Sequence, residues 1–120
     1  MKVERIEHIQ LAMPAGEERQ AREFYAGLLG IPERPKPPKL AARGGAWFER
    51  GTLRIHLGVE SNFRPAKKAH PAFLVTELSV LVEHLLAAGM NVNQDDALPG
   101  FHRVYVEDPF GNRLEFMEPL

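Results

Sequence analysis

The sequence predicts an α+β fold made of two βαβββ modules that form a half-barrel pair. Three observations predict it: one order of apolar patterns occurs twice, glycines and polar residues recur at offsets of 59 to 62 positions, and the composition fills one core. The chain has 120 residues, of which 44% are hydrophobic. That suits a single packed domain and is too apolar for a disordered chain. The expected organisation is one domain over 1–120, with a first module over 1–60, a linker over 61–69 and a second module over 70–120.

The first module opens with a strand expected over Val3–Met13. Ile9, Leu11 and Met13 fall on one face, and His8, Gln10 and Ala12 on the other. Pro14-Ala15-Gly16 ends it, and Glu17 and Glu18 suit the start of a helix by opposing its dipole. Ala21, Phe24, Tyr25 and Leu28 give that helix an apolar face, and Gly30 stands where a left-handed cap is wanted. Pro32–Pro38 is expected to be loop. Strands are expected over Lys39–Arg43, Ala46–Arg50 and Leu53–Val59, punctuated by Gly44-Gly45 and Gly51. Trp47 and Phe48 alternate, so one of them faces the site and the other packs behind it.

The order then repeats. His70–Val75 reads as a short strand. Leu78, Leu81, Val82, Leu85 and Leu86 form a helical stripe that Gly89 caps. Asn91–Gln94, Arg103–Glu107 and Arg113–Met117 are strand candidates, with the turn Asp108–Asn112 between the last two. Gly30 and Gly89 are 59 positions apart, and so are His56 and Glu115; His8 and His70 are 62 apart. Such a repeat implies two similar modules related by a pseudo-twofold axis.

The repeat gathers scattered polar residues into one pattern. His8 and His70 take the same place in the first strand of each half, and His56 and Glu115 the same place in the last. Ile55, Leu57, Leu114 and Phe116 are expected under the helices, which sends the four polar residues to the opposite face. Imidazole and carboxylate together suit a borderline divalent metal such as iron, manganese, nickel, cobalt or zinc. The expected ligands are His8, His70 and Glu115, with His56 as a possible fourth or as an outer donor. Tyr105 and Glu115 are the candidate catalytic groups. Gln10, Arg54 and Arg103 are the candidate substrate contacts. Arg113 also shares the phase of Glu115, but beside a turn it is expected in water. His84 is expected to be solvated, and His102 is given no role.

Net charge is −1 with no basic run, which excludes an electrostatic nucleic-acid partner. There is no cysteine, so disulfides, thiolate metal sites and cysteine nucleophiles are excluded. No stretch reaches the roughly 20 apolar residues of a membrane helix, and the N-terminal residues lack a signal-like apolar run. A cytoplasmic location is expected, as is a homodimer, because modules of about 60 residues have thin cores and open sheet edges.

The segments Ala21–Gly30 and Asp108–Phe116, with Glu7-His8-Ile9 and Ala69–Phe73, resemble hallmark segments of the glyoxalase, bleomycin-resistance and dioxygenase superfamily, the vicinal-oxygen-chelate proteins. The resemblance implies paired βαβββ modules. It also implies first-strand ligands at His8 and His70 and a last-strand carboxylate at Glu115. His56 falls where glyoxalase I enzymes commonly place a glutamate, and Tyr105 where fosfomycin-modifying members place an active-site tyrosine. Two functions follow as expectations. The first is a divalent-metal-dependent enzyme acting on a small oxygen-chelating substrate, as a lyase or isomerase, a dioxygenase or a resistance-type transferase. The alternative is a metal-free, bleomycin-resistance-like protein that binds a small molecule.

Overall fold

In the computed structural model, which describes residues 1–120, the chain divides into two units, Met1–Arg64 and Pro65–Leu120. The division falls inside the expected linker. The fold is α+β, with one four-stranded mixed sheet in each unit.

The first unit runs β1 (Ile9–Met13), α1 (Glu18–Ala21), β2 (Glu33–Arg34), α2 (Pro38–Ala41), β3 (Ala46–Arg50) and β4 (Leu53–Val59). Its sheet order is β1-β4-β3-β2, with β1 and β4 parallel and the other pairs antiparallel. Helix α1 does not stop at Ala21. It widens into π-type turns over Arg22–Leu28, which bury Phe24 and Tyr25. The Tyr25 ring stacks on Phe48 at 5.4 Å, so this segment covers one sheet face. Met13, Phe48, Ile55 and Leu57 are buried on that face. Gly30 adopts φ +71°, as the left-handed helix end requires.

Two expectations are corrected here. Lys39–Arg43 is not a strand, because Pro38–Ala41 is helical. Pro38 starts the helix without needing an N–H, Lys39, Leu40 and Ala41 are good helix formers, and Gly44 and Gly45 at positive φ end it. The strand before β3 is instead the short β2, inside the proline-rich stretch expected to be loop. The first strand begins at Ile9 rather than Val3, and Val3 and Ile6 are exposed.

The second unit runs β5 (Ala72–Leu74), α3 (Leu78–Ala87), β6 (Val92–Gln94), β7 (Phe101–Glu107) and β8 (Arg113–Pro119), in sheet order β5-β8-β7-β6. Leu78 and Leu85 of α3 are buried, as are Phe73, Val104, Val106, Leu114 and Phe116 of the sheet. The Leu78 N–H donates to a Glu118 carboxylate oxygen at 2.8 Å, which ties the helix start to β8.

Register makes the repeat concrete. Gln10 pairs with His56 across β1 and β4, and Ala72 pairs with Glu115 across β5 and β8. His8 and His70 each stand two residues before those partners, so they occupy equivalent places. By the same rule Trp47, opposite His56, matches Tyr105, opposite Glu115. The pair Glu49–Arg54 matches Glu107–Arg113.

Candidate functional site

In the first unit the face opposite the helix is built around a column of rings. His56 is 5% exposed and lies between Trp47 (ring centroids 4.2 Å apart, planes 9° apart) and His8 (4.3 Å, 20°). Trp47 is therefore the member of the Trp47-Phe48 pair that faces the site. The His56 Nε2 is 2.7 Å from a Glu49 carboxylate oxygen.

His8 is more open, with 40% of its side chain exposed. Its Nδ1 lies 3.1 Å from a Glu7 carboxylate oxygen, an arrangement that fixes Nδ1 as the donor and leaves Nε2 its lone pair. The same hydrogen bond is the main reason the Glu7 carboxyl is held below its ordinary pKa. Arg54 donates to the other Glu7 oxygen at 2.6 Å, so its charge is answered within the unit. Gln10 lies over Gly58, where a side chain would collide with its amide. Glu7, His8, Gln10, Lys36, Trp47 and His56 are among the residues lining a hollow of about 530 Å³.

The second unit presents charge instead of stacked rings. The His70 Nε2 lies 2.9 Å from Glu115 Oε1, and the His70 Nδ1 lies 2.8 Å from the Lys68 carbonyl. A carbonyl only accepts, so Nδ1 carries the proton. In a neutral imidazole the lone pair of Nε2 then points at a carboxylate, two acceptors at contact distance. Such a contact is favourable only with a proton or a cation on Nε2.

Glu115 is 5% exposed. Burial pushes its carboxyl up, but hydrogen bonds from His70 and Arg103 and the Arg103 charge outweigh that and hold it below the ordinary carboxylate range. Arg103 donates to Glu115 Oε2 at 3.3 Å and to the Tyr105 hydroxyl at 3.1 Å, and pairs with Asp95 at 3.3 Å. Its buried Nε has no partner. The Tyr105 ring meets His70 edge-on at 5.4 Å.

A buried turn sets the height of Glu115. Asp108 Oδ1 accepts from the N–H groups of Phe110 and Asn112 at 2.9 Å each, and the Asn112 amide donates to Asp108 Oδ2 at 3.0 Å. Asn112 Oδ1 accepts from Ala66 N–H at 3.0 Å, and Arg113 N–H donates to the Ala66 carbonyl at 2.9 Å. Gly111 needs φ +90°, and a Cβ there would press on Pro65 at 3.2 Å.

His70, Glu115, Tyr105 and Arg103 thus come together in one unit, and His8, His56, Gln10 and Arg54 lie in the other. No group of three His, Asp or Glu side chains able to hold a metal occurs in the single chain. Glu49, Asp95 and Glu7 were not found from sequence. Strand alternation carried a signal for Glu49, since it shares a face with Trp47, but which face Trp47 takes was open.

A family model for the glyoxalase-like domain matches residues 10–117. The chain belongs to the glyoxalase-like family. It is 48% identical to a glyoxalase family protein from Bacillus anthracis, with 100% of this chain and 98% of that one covered and a TM-score of 0.95. The fold is shared at lower identity by the fosfomycin resistance protein FosX from Listeria monocytogenes (15% identity, 99% and 96% covered, TM-score 0.78). A glyoxalase/dioxygenase from Nostoc punctiforme shares it as well (20%, 97% and 91%, 0.78). No curated protein sequence matches. No helix of this glyoxalase-like chain is long and apolar enough to cross a membrane.

Proposed function

We propose that this glyoxalase-like protein is a divalent-metal-dependent enzyme acting on a small molecule with neighbouring oxygens. The metal would be held by His70 and Glu115 of one protomer and the partner subunit's His8 in a homodimer. The observation that carries the reading is the His70–Glu115 contact, in which His70 Nε2 and a Glu115 carboxylate oxygen converge at 2.9 Å with the His70 ring already oriented by the Lys68 carbonyl. Oriented imidazole and ionised carboxylate are the donor set a borderline divalent ion takes, and the outer hydrogen bond matches what ligating histidines have. His8 has the same preparation from Glu7. A second copy enters because modules of about 60 residues have thin cores and open sheet edges that pairing would cover.

A divalent ion so held supplies Lewis-acid stabilisation of negative charge on a substrate oxygen. The protein groups do the rest. Arg103 fixes Glu115 through Oε2 and keeps it ionised, so Glu115 is ready to accept a proton from a bound substrate. Tyr105, whose oxygen accepts from Arg103 and whose hydroxyl donates to Glu115, would turn that proton to a substrate oxygen only by giving up the Glu115 contact. His56, spent on Glu49 and stacked under His8, positions the His8 ring.

Metal analysis of purified protein tests this. Near one ion per protomer is expected, lost in H70A and E115A, together with a dimer in sedimentation. H8A and H70A, each inactive alone, regain about a quarter of the sites when mixed and reassembled, because one of the two shared sites in a mixed dimer is intact. No metal uptake from iron, manganese, nickel, cobalt or zinc would overturn the reading in favour of a metal-free small-molecule binder.

A further inference from the structure

The Arg113 guanidinium of the second unit has no carboxylate within ion-pair distance, and Asp95, whose carboxyl feels its charge, is paired with Arg103. The unit's ion pairs run Lys67–Glu107, His70–Glu115, Arg103–Asp95 and Arg103–Glu115, and none includes Arg113. The register partner of Arg113 is Glu107, yet that carboxylate is taken by Lys67 at 2.9 Å. The Arg113 guanidinium instead lies over the Tyr105 ring, 4.0 Å from Cζ to the centroid. Stacking on a π-face orients the planar group and leaves its N–H edges unspent.

The surroundings have the shape of a small receptor. Lys67, Asn93, Tyr105, Val106, Glu107 and Arg113 line a hollow of about 260 Å³. Lys67 and Glu107 cancel, so the hollow keeps the positive charge of Arg113. Asn93, the register partner of Tyr105, brings amide donors to its wall. The equivalent residue of the first unit, Arg54, is neutralised by Glu7 at 2.6 Å. One position of the repeat is thus closed in the first unit and open in the second.

We infer that Arg113, braced by Tyr105, binds the anionic group of the substrate, a carboxylate or a phosphoryl or phosphonyl oxyanion. Arg113 and Glu115 lie two residues apart on one strand, a spacing of roughly 7 Å. The substrate class is therefore a small oxyanion whose charged group lies about that far from the oxygens that approach His70 and Glu115. The inference rests on the proposed function for where the reacting oxygens lie, but binding of the anion needs only this unit's own side chains.

The test is titration of the full-length protein with inorganic phosphate and, separately, with malonate at low ionic strength, followed by calorimetry and by amide NMR shifts. Millimolar binding is expected, with shifts centred on Asn93, Tyr105 and Arg113. R113Q is expected to weaken it at least tenfold and R113K to fall between R113Q and wild type, since an ammonium keeps the charge but not the stacked planar donors, both with unchanged circular dichroism and metal content. H70A, which removes a proposed metal ligand, is expected to keep the anion site. Tighter phosphate than malonate assigns a phosphoryl or phosphonyl group, and the reverse order assigns a carboxylate. Wild-type protein that binds neither anion, R113Q that binds as tightly as wild type, or binding lost in H70A but kept in R113Q would each overturn the inference. Failure of metal uptake with anion binding intact would overturn the proposed function alone.

Discussion

The two sheets share a register and differ in what they place at matching points. Around His56 the first sheet has rings: Trp47 on one side, His8 on the other, and a single Glu49 contact behind. Around Glu115 the second has a charged network of His70, Arg103, Asp95 and Tyr105. A duplicated backbone supplies places, and the residues put there decide whether a place holds stacked rings or a charged network. Even the histidine–glutamate contact occurs twice with different consequences. His56 is walled in by rings, whereas His70 leaves 22% of its side chain exposed beside the hollow of Arg113 and Tyr105.

The equivalence of the halves can be broken most forcefully in the cores. Ile55 and Leu114 are both fully buried at matching positions. I55A and L114A should each cost about 2–5 kcal/mol, read as a fall in urea midpoint. Similar losses would support matched packing, and a difference beyond that range would show that one core is better able to collapse. Next in size, H70A should lower metal affinity by about 100-fold or more, more than the loss expected for an outer-shell change. E49Q should leave metal content unchanged and cost about 1–2 kcal/mol of stability, since it weakens a half-buried hydrogen bond. If E49Q strips the metal as H70A does, the contrast between the two histidine–glutamate contacts fails.

The smallest effect is a pH dependence. Burial raises the Glu115 carboxyl, but its partners lower it overall from 4.5. The unfolded chain therefore binds the proton more readily than the folded one. The stabilisation is complete above about 4.5 and is lost as pH falls through the lowered folded value. In metal-free protein, the stability difference between wild type and E115Q should shrink as pH drops below that point, measured by urea midpoints between about pH 3 and 6.

Much of this was legible in the chain. The 59-residue offset predicted that His56 and Glu115 share a strand position, and the pairings Gln10–His56 and Ala72–Glu115 give that equivalence a register. Alternation placed Ile55, Leu57, Leu114 and Phe116 in the core because a half-buried strand leaves little freedom to slip. Local signals failed where they competed. Lys39–Arg43 has too few residues for periodicity to separate strand from helix, and Pro38 decided it. Val3–His8 is expected to be part of the first strand, but the pairing with β4 begins only at Ile9. Arg113 was expected in water because it adjoins a turn. Its position over Tyr105 depends on a cross-strand contact to the neighbouring strand β7, which spacing along one strand does not reveal.

The hydrogen bonds from Ala66 to Asn112 and from Arg113 to Ala66 have a consequence for the connectivity of the chain. They clasp the entrance of the second unit to the foot of the strand that bears Glu115. A cut or an inserted linker just ahead of Pro65 would leave that clasp whole. A residue inserted at the Arg64–Pro65 junction would accordingly fall outside the pair of bonds that fix the turn beneath Glu115.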